Sequence, residues 1–436
     1  MLHRKLVFTV CLSCLTLPGF AKLIRADELP VESRSLELVQ INNLIDQLDA
    51  RKFSKRRQAF LALRAFGPLA VEPLKEAALK GNPEIISHAV ELMEGWSLDA
   101  DRRVFEPAAD ALIGFMNTSN GELVRRSEVA HLRHLRHRRS LAQAAINALG
   151  GVVNINAIGP NRESVSVTLG KDWRGGVDIS ALDELGAIQQ LTLASPILTD
   201  ATLEQVGKFT SIQQLNLYNG LFTKVGFSKL ADLRVRTVHV NSLAHTTDLG
   251  ESLKFLATMS YLNLQSLDLT KTDMNPLKDL PLRNLTVNQC RLRDDGLVFL
   301  KNIATLQYAQ IYDTKLTTEN LTSLGQAPAL ANLNLRQVPL TKDNLVDFDG
   351  KSINMLSLYS TGIDADALAS LGSLQSLTRL SLSETNLTDD ALPGLKKLKN
   401  LKYLSLQNTK ITADGGKELT EALKPCRVTL SPSRRK

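Results

Sequence analysis

A leucine ladder with a step of 24 residues runs through the last two-thirds of the 436-residue chain and constrains its fold more than any other feature. The segment LTRLSLSETNLTDDALPGLKKLKN, residues 377–400, is followed directly by LKYLSLQNTKITADGGKELTEALK. Leu401, Leu404, Leu406, Thr409 and Ile411 thereby repeat Leu377, Leu380, Leu382, Thr385 and Leu387. Leu-x-Leu puts two apolar side chains on one face of a short strand, whereas Leu392, Leu395 and Leu398 follow a helical three-residue step. One unit is a strand, a turn and a short helix. The first inward residue of successive strands falls at Leu191, Leu215, Val238, Leu285, Ala309, Leu333, Leu356, Leu380, Leu404 and Val428, after a degenerate copy at Val165. Between Val238 and Leu285, either Leu262/Leu264 or Leu267/Leu269 can supply the inward pair. The first choice keeps the step nearly constant and puts Leu253, Leu256, Met259, Met274, Leu277 and Leu280 at core positions, so it is preferred.

Recurrence of this motif resembles the leucine-rich-repeat family, whose units of about 20 to 29 residues stack into a curved solenoid. The resemblance implies an α/β fold: about eleven parallel strands with short helices on the convex side, each repeat burying its apolar face against its neighbours. It also implies that partners bind on the concave face, where the residues between the leucines point. Thr199-Asp200 and Thr388-Asp389 stand just ahead of helical segments and read as caps for free helix N–H groups.

The chain ends differ from the ladder. Residues 1–21 have the makings of a signal peptide: His3, Arg4 and Lys5, the apolar run LVFTVCLSCLTL, then Gly19-Phe20-Ala21, with cleavage expected after Ala21. Export would place the mature chain outside the cytoplasm: periplasmic, cell-surface or secreted. Only Cys290 and Cys426 would then remain, too far apart along the ladder to pair, since a disulfide needs Cα atoms within about 7 Å. Residues 32–149 show helical periodicity, broken at Gly67-Pro68, at Gly81-Asn82-Pro83 and from Thr118 to Gly121. Phe53 to Leu92 resembles a degenerate HEAT-like helical pair; an amphipathic helical domain closing the open end of the ladder is the other reading. The ladder proper is expected over 150–431, with a basic tail at 432–436. The whole resembles bacterial secreted repeat proteins with a small helical N-terminal domain.

Catalytic signatures are missing from the sequence: it has no GxxxxGK[ST], HExxH or GxSxG and no spaced CxxC pairs. A non-enzymatic protein without cofactor or metal is expected. The net charge of +7 is concentrated conspicuously in RRSEVAHLRHLRHRR, residues 125–139. On a helix His131, His134 and His137 fall on one side, but the surrounding arginines repel a cation. This basic helix is expected to be a solvated face, with anion or nucleic-acid contact as an alternative. His239 and His245 are expected at the surface. All six tyrosines fall on the outward positions of the ladder strands. Tyr308, Tyr312, Arg336, Tyr359, Arg379 and Tyr403 therefore make the expected recognition stripe, because Tyr joins a large apolar area to a polar tip. The function implied is recognition of a protein partner or an envelope polymer. A second reading, an F-box-like adaptor in protein turnover, rests on the faint motif Leu29-Pro30-x-Glu32.

Overall fold

A computed structural model describes residues 31–159, 162–340, 352–371 and 374–431. The segment expected to be a signal peptide, with Cys11 and Cys14, the Leu29-Pro30 pair and the basic tail lie outside the described residues. The chain forms two compact units that divide between Arg138 and Arg139.

The first unit is helical: α1 (Val31–Asp46), α2 (Phe53–Phe66), α3 (Val71–Lys80), α4 (Pro83–Ser97), α5 (Arg102–Met116) and the greater part of α6 (Gly121–Ala148). The breaks read from sequence act as helix starts. Asn82 Oδ1 accepts the N–H groups of Glu84 and Ile85, both at 3.1 Å, with Pro83 behind it at the first helical position. Asn120 Oδ1 does the same for Glu122 and Leu123. Ile41, Leu63, Leu74, Met93, Leu112 and Phe115 form the buried centre of this unit.

The second unit carries a sheet of thirteen strands, in spatial order as in the chain. They are β1 (Val152–Gly159), β2 (Arg162–Leu169), β3 (Gln190–Leu193), β4 (Gln214–Tyr218), β5 (Thr237–Asn241), β6 (Tyr261–Gln265), β7 (Asn284–Asn288), β8 (Tyr308–Tyr312), β9 (Asn332–Arg336), β10 (Met355–Tyr359), β11 (Arg379–Ser381), β12 (Tyr403–Leu406) and β13 (Arg427–Leu430). All neighbours from β2 onward pair in parallel, with the repeat step as register: Leu333 opposite Leu356, Leu356 opposite Leu380, Leu380 opposite Leu404. The inward residues share one core from Ala142 and Ile146 of α6 to Cys426. This is a leucine-rich-repeat solenoid in its pairing and periodicity.

The irregular stretch resolves as expected. Leu262 pairs with Val238 on one side and Leu285 on the other. Leu267 and Leu269 are also buried, but they belong to a separate short ladder in which Asp268-Leu269 pairs with Arg291-Leu292. Two expectations need correction. The residue opposite Leu191 is Val167, not Val165, so the first repeat is shifted by one inward position. Val165 is buried as well, opposite Ile155 of β1, and this extra strand is antiparallel and off the 24-residue period. Its sequence signal is the alternation of Val153 and Ile155 ahead of Gly159-Pro160-Asn161.

The aspartates expected to cap their own helices do something else. No side-chain cap bond is made at Thr199 or Thr388. Instead Asp200 reaches the next repeat, accepting from Thr223 N at 2.8 Å and from the Thr223 hydroxyl. Asp389 treats Thr412 in the same way, at 2.9 and 2.7 Å. The helix starts are capped by Thr223, Thr317, Asp364 and Thr412.

Candidate recognition face

Strand pleating turns alternate residues away from the core, so β3 to β13 present three columns on the open face of the sheet. One column immediately precedes the first inward residue: Gln190, Gln214, Thr237, Tyr261, Asn284, Tyr308, Asn332, Met355, Arg379, Tyr403, Arg427. The central column, between the two inward residues, reads Thr192, Asn216, His239, Asn263, Thr286, Gln310, Asn334, Ser357, Ser381, Ser405, Thr429. The third follows the second inward residue and holds Tyr218, Asn241, Gln265, Asn288, Tyr312, Arg336 and Tyr359. Register places each column in line across the sheet.

No position in these columns is Asp or Glu, although 45 of the chain's 436 residues are. The sign of this face is set by Arg336, Arg379 and Arg427, all three exposed. Arg336 lies over the Tyr359 ring with its guanidinium carbon 5.0 Å from the centroid, and Arg379 over Tyr403 at 5.4 Å. Stacking of this kind fixes the plane of a guanidinium while leaving its N–H groups open to a ligand. None of these arginines makes an ion pair among the described residues.

The six residues expected to form one stripe occupy two columns. Tyr308, Arg379 and Tyr403 share the first column; Tyr312, Arg336 and Tyr359 share the third. Four residues apart along a strand, the columns stand roughly 13 Å from each other. Tyr312, Arg336 and Tyr359 are consecutive across β8, β9 and β10, as Arg379, Tyr403 and Arg427 are across β11, β12 and β13. Arg427 and Met355 are the members of this surface that a search for tyrosine rungs missed. The carboxylate-free columns were readable in the sequence once the register was fixed.

The middle of the face is tied up by its own hydrogen bonds. The Tyr312 hydroxyl donates to Gln310 Oε1 at 3.1 Å and accepts from Asn334 Nδ2 at 3.1 Å. Tyr261 and Thr286 hydroxyls meet at 3.2 Å, and Asn216 donates to Thr192 at 2.7 Å. Burial pushes the Tyr312 and Tyr218 phenols up, so both stay neutral. His239 is not the surface residue expected. It is half-buried in the central column, 3.0 Å from Asn263 Nδ2 and tilted against the Tyr261 ring, and desolvation pushes its imidazole below the usual range. In contrast, Tyr359 and Tyr403 have no hydroxyl partner among the described residues.

Elsewhere the candidates are internally engaged. In the basic helix Arg125 and Arg126 pair with Glu122, Arg133 with Glu94 at 2.8 Å and Arg139 with Glu163, while Arg138 stacks on Phe105 at 3.9 Å. His134 is buried, its Nδ1 2.6 Å from the Ser97 carbonyl, and His131 stacks on it. Burial, with His134 next in weight, pushes His131 below the usual histidine range. Among the described residues there is no group of three potential metal ligands. Cys290 and Cys426 are free and buried, on β7's exit and β13's entry, six strands apart in the sheet. Burial pushes both thiols up, away from the thiolate form.

Protein-family models and curated proteins give no sequence match to this chain. Among solved structures, an internalin from Listeria monocytogenes aligns at 15% identity over 62% of this chain and 87% of its own, with a TM-score of 0.38. A leucine-rich-repeat protein from Leptospira interrogans aligns at 19% identity over 58% and 81%, TM-score 0.31. A second Listeria internalin aligns at 18% over 52% and 83%, TM-score 0.32. No helix of the described residues is long and apolar enough to cross a membrane.

Proposed function

We propose that this chain is a non-enzymatic recognition protein whose open sheet face binds a macromolecular partner, a protein or an envelope polymer. The carrying observation is the composition of that face: six tyrosines line it, Tyr308, Tyr403 and the arginines stand exposed, and no carboxylate is among them, while the opposite face does all the core packing. Neither fold stability nor internal charge balance accounts for such a surface. Contact with anions through residues 125–139 is the weaker reading, because most of those arginines already have protein partners. The central test replaces Tyr312, Arg336 and Tyr359 together by Ala. Capture of partners by the immobilised chain should be lost while its thermal midpoint stays nearly unchanged; equal capture by both forms would refute the assignment to this face.

The same reading places the protein outside the cytoplasm, on the charge and hydropathy pattern of residues 1–21. N-terminal sequencing of the mature protein should begin at Lys22. An intact N-terminus on protein recovered from the cytoplasm would instead favour an intracellular adaptor.

A further inference from the structure

The central column changes character along the sheet. Apart from Thr192 and Thr286 it carries the longer Asn216, His239, Asn263, Gln310 and Asn334 through β9, then only hydroxyl residues: Ser357, Ser381, Ser405 and Thr429. Losing those longer side chains opens a hollow of about 280 Å³ over β10 to β13. Its lining is mostly carbon: Ser357, Ser381, Ser405 and Thr429 run along the floor, and Met355, Arg379, Tyr403 and Arg427 stand in line along one side. The hollow is smaller than the range of about 300 to 1,000 Å³ usual for small-molecule sites, and matches one or two amino-acid side chains. Ser383 and Ser405 bond to each other at 2.9 Å, so these hydroxyls compete little for a ligand.

We propose that this hollow binds an acidic segment of a partner protein, an apolar side chain seated against Met355 and the Tyr403 ring and carboxylates held by Arg379 and Arg427. The inference rests on the open face being the recognition surface and adds the chemistry of what it recognises. Charge complementarity selects the sign: the arginines have no counter-ion among the described residues, and no carboxylate in the three columns would repel an acidic ligand. Planar guanidinium groups suit carboxylates bidentately, and the Tyr403 ring between them supports the Arg379 plane. Arg379 and Arg427 lie two strands apart, roughly 10 Å, which is about the span of three residues of extended peptide. The carbon-rich lining at Met355 and the Tyr403 ring separates a peptide from a uniformly polar anionic glycan. A protein segment supplies both an apolar side chain and flanking carboxylates; such a polymer supplies only the charge.

The test is fluorescence anisotropy of the full chain with labelled peptides containing Glu-Leu-Leu-Glu or Lys-Leu-Leu-Lys. The acidic peptide should bind at least tenfold more tightly, and Arg379→Gln with Arg427→Gln should weaken it tenfold or more. Met355→Ser should weaken it with the arginines intact. Equal binding of the two peptides overturns the proposal, and that comparison uses unaltered protein, so it decides even if a variant folds poorly. Competition by oligogalacturonate as strong, per carboxylate, as by the acidic peptide would also overturn it, making the site one for polyanions. If the peptides are not distinguished but partner capture still depends on Tyr312, Arg336 and Tyr359, the face remains a recognition surface and only its assigned chemistry falls.

Discussion

At the scale of single residues, the aspartate that leaves its own helix is the most informative detail of the ladder. Asp389 accepts two bonds from Thr412, and the Thr412 hydroxyl in turn accepts from Gly415 N at 3.1 Å, so one carboxylate organises the next repeat's helix start. A Cβ at Gly415 would stand 2.5 Å from Asp389 Oδ1; one at Gly226 would stand 2.2 Å from Asp200 Oδ1. Glycine is thus required by a close approach rather than by backbone dihedrals. Helix propensity alone favours Ala over Gly by about 0.5 to 1 kcal/mol, which would make Gly415→Ala stabilising. The contact should reverse that sign, to a loss of about 1 to 3 kcal/mol. Asp389→Ala should itself cost about 1 to 2 kcal/mol through its lost bonds. In the Asp389→Ala background, Gly415→Ala should become neutral or stabilising, a coupling measurable by denaturant unfolding of all four forms. Additive effects would show that the glycine is there for another reason.

At the scale of elements, each strand from β4 to β12 is followed by a residue of left-handed conformation: Asn219, Ser242, Ser266, Gln289, Asp313, Gln337, Ser360, Glu384 and Asn408, with φ between 47° and 61°. Such a conformation costs an L-residue about 1 to 2 kcal/mol. From Asn219 to Glu384 the N–H at this point donates to a backbone carbonyl of the following repeat, as Gln289 does to Tyr312 and Gln337 to Tyr359. A net hydrogen bond of about 0.5 to 1.5 kcal/mol, repeated down the ladder, offsets much of that strain and locks the register. Sequence alone could not reveal this column, because Gln, Ser and Glu have no special tolerance for positive φ. It exists because stacking fixes it, not because local propensity prefers it. The same reasoning explains why the Leu-x-Leu strands were legible and β1 was not. Inward pairs announce themselves through a repeat of buried leucines, whereas β1 pairs once, antiparallel, with only Val153 and Ile155 to mark its face. For the proposed recognition surface, the periodicity told which residues point outward. The hollow was not legible, because it depends on small side chains in one column lining up beside long ones in another over four strands.

At the scale of the whole ladder, every repeat meets chiefly the one before and the one after, so stability is local in a way that a globular core does not permit. Leu404 is 1% exposed, and its neighbours in register are Leu380 and Val428. Leu404→Ala removes about 2 to 5 kcal/mol of packing at a point with a single repeat beyond it. In a tightly cooperative core that loss would be shared by all elements and lower the protection of every strand equally. In a nearest-neighbour array it should act as a fray from the C-terminal end, because opening β12, β13 and the helix Ala413–Ala422 exposes only one new interface. Hydrogen exchange under native conditions should therefore show faster exchange in residues 403–430 of the Leu404→Ala form. Protection in β3, β4 and β5 should stay at the level of the unaltered chain. The hollow over β10 to β13 lies against the part that frays, so an occupant gripping Arg379 and Arg427 should restore protection there first. Uniform loss of protection from β3 to β13 would mean that the ladder unfolds as one unit and that its open face is a single rigid surface.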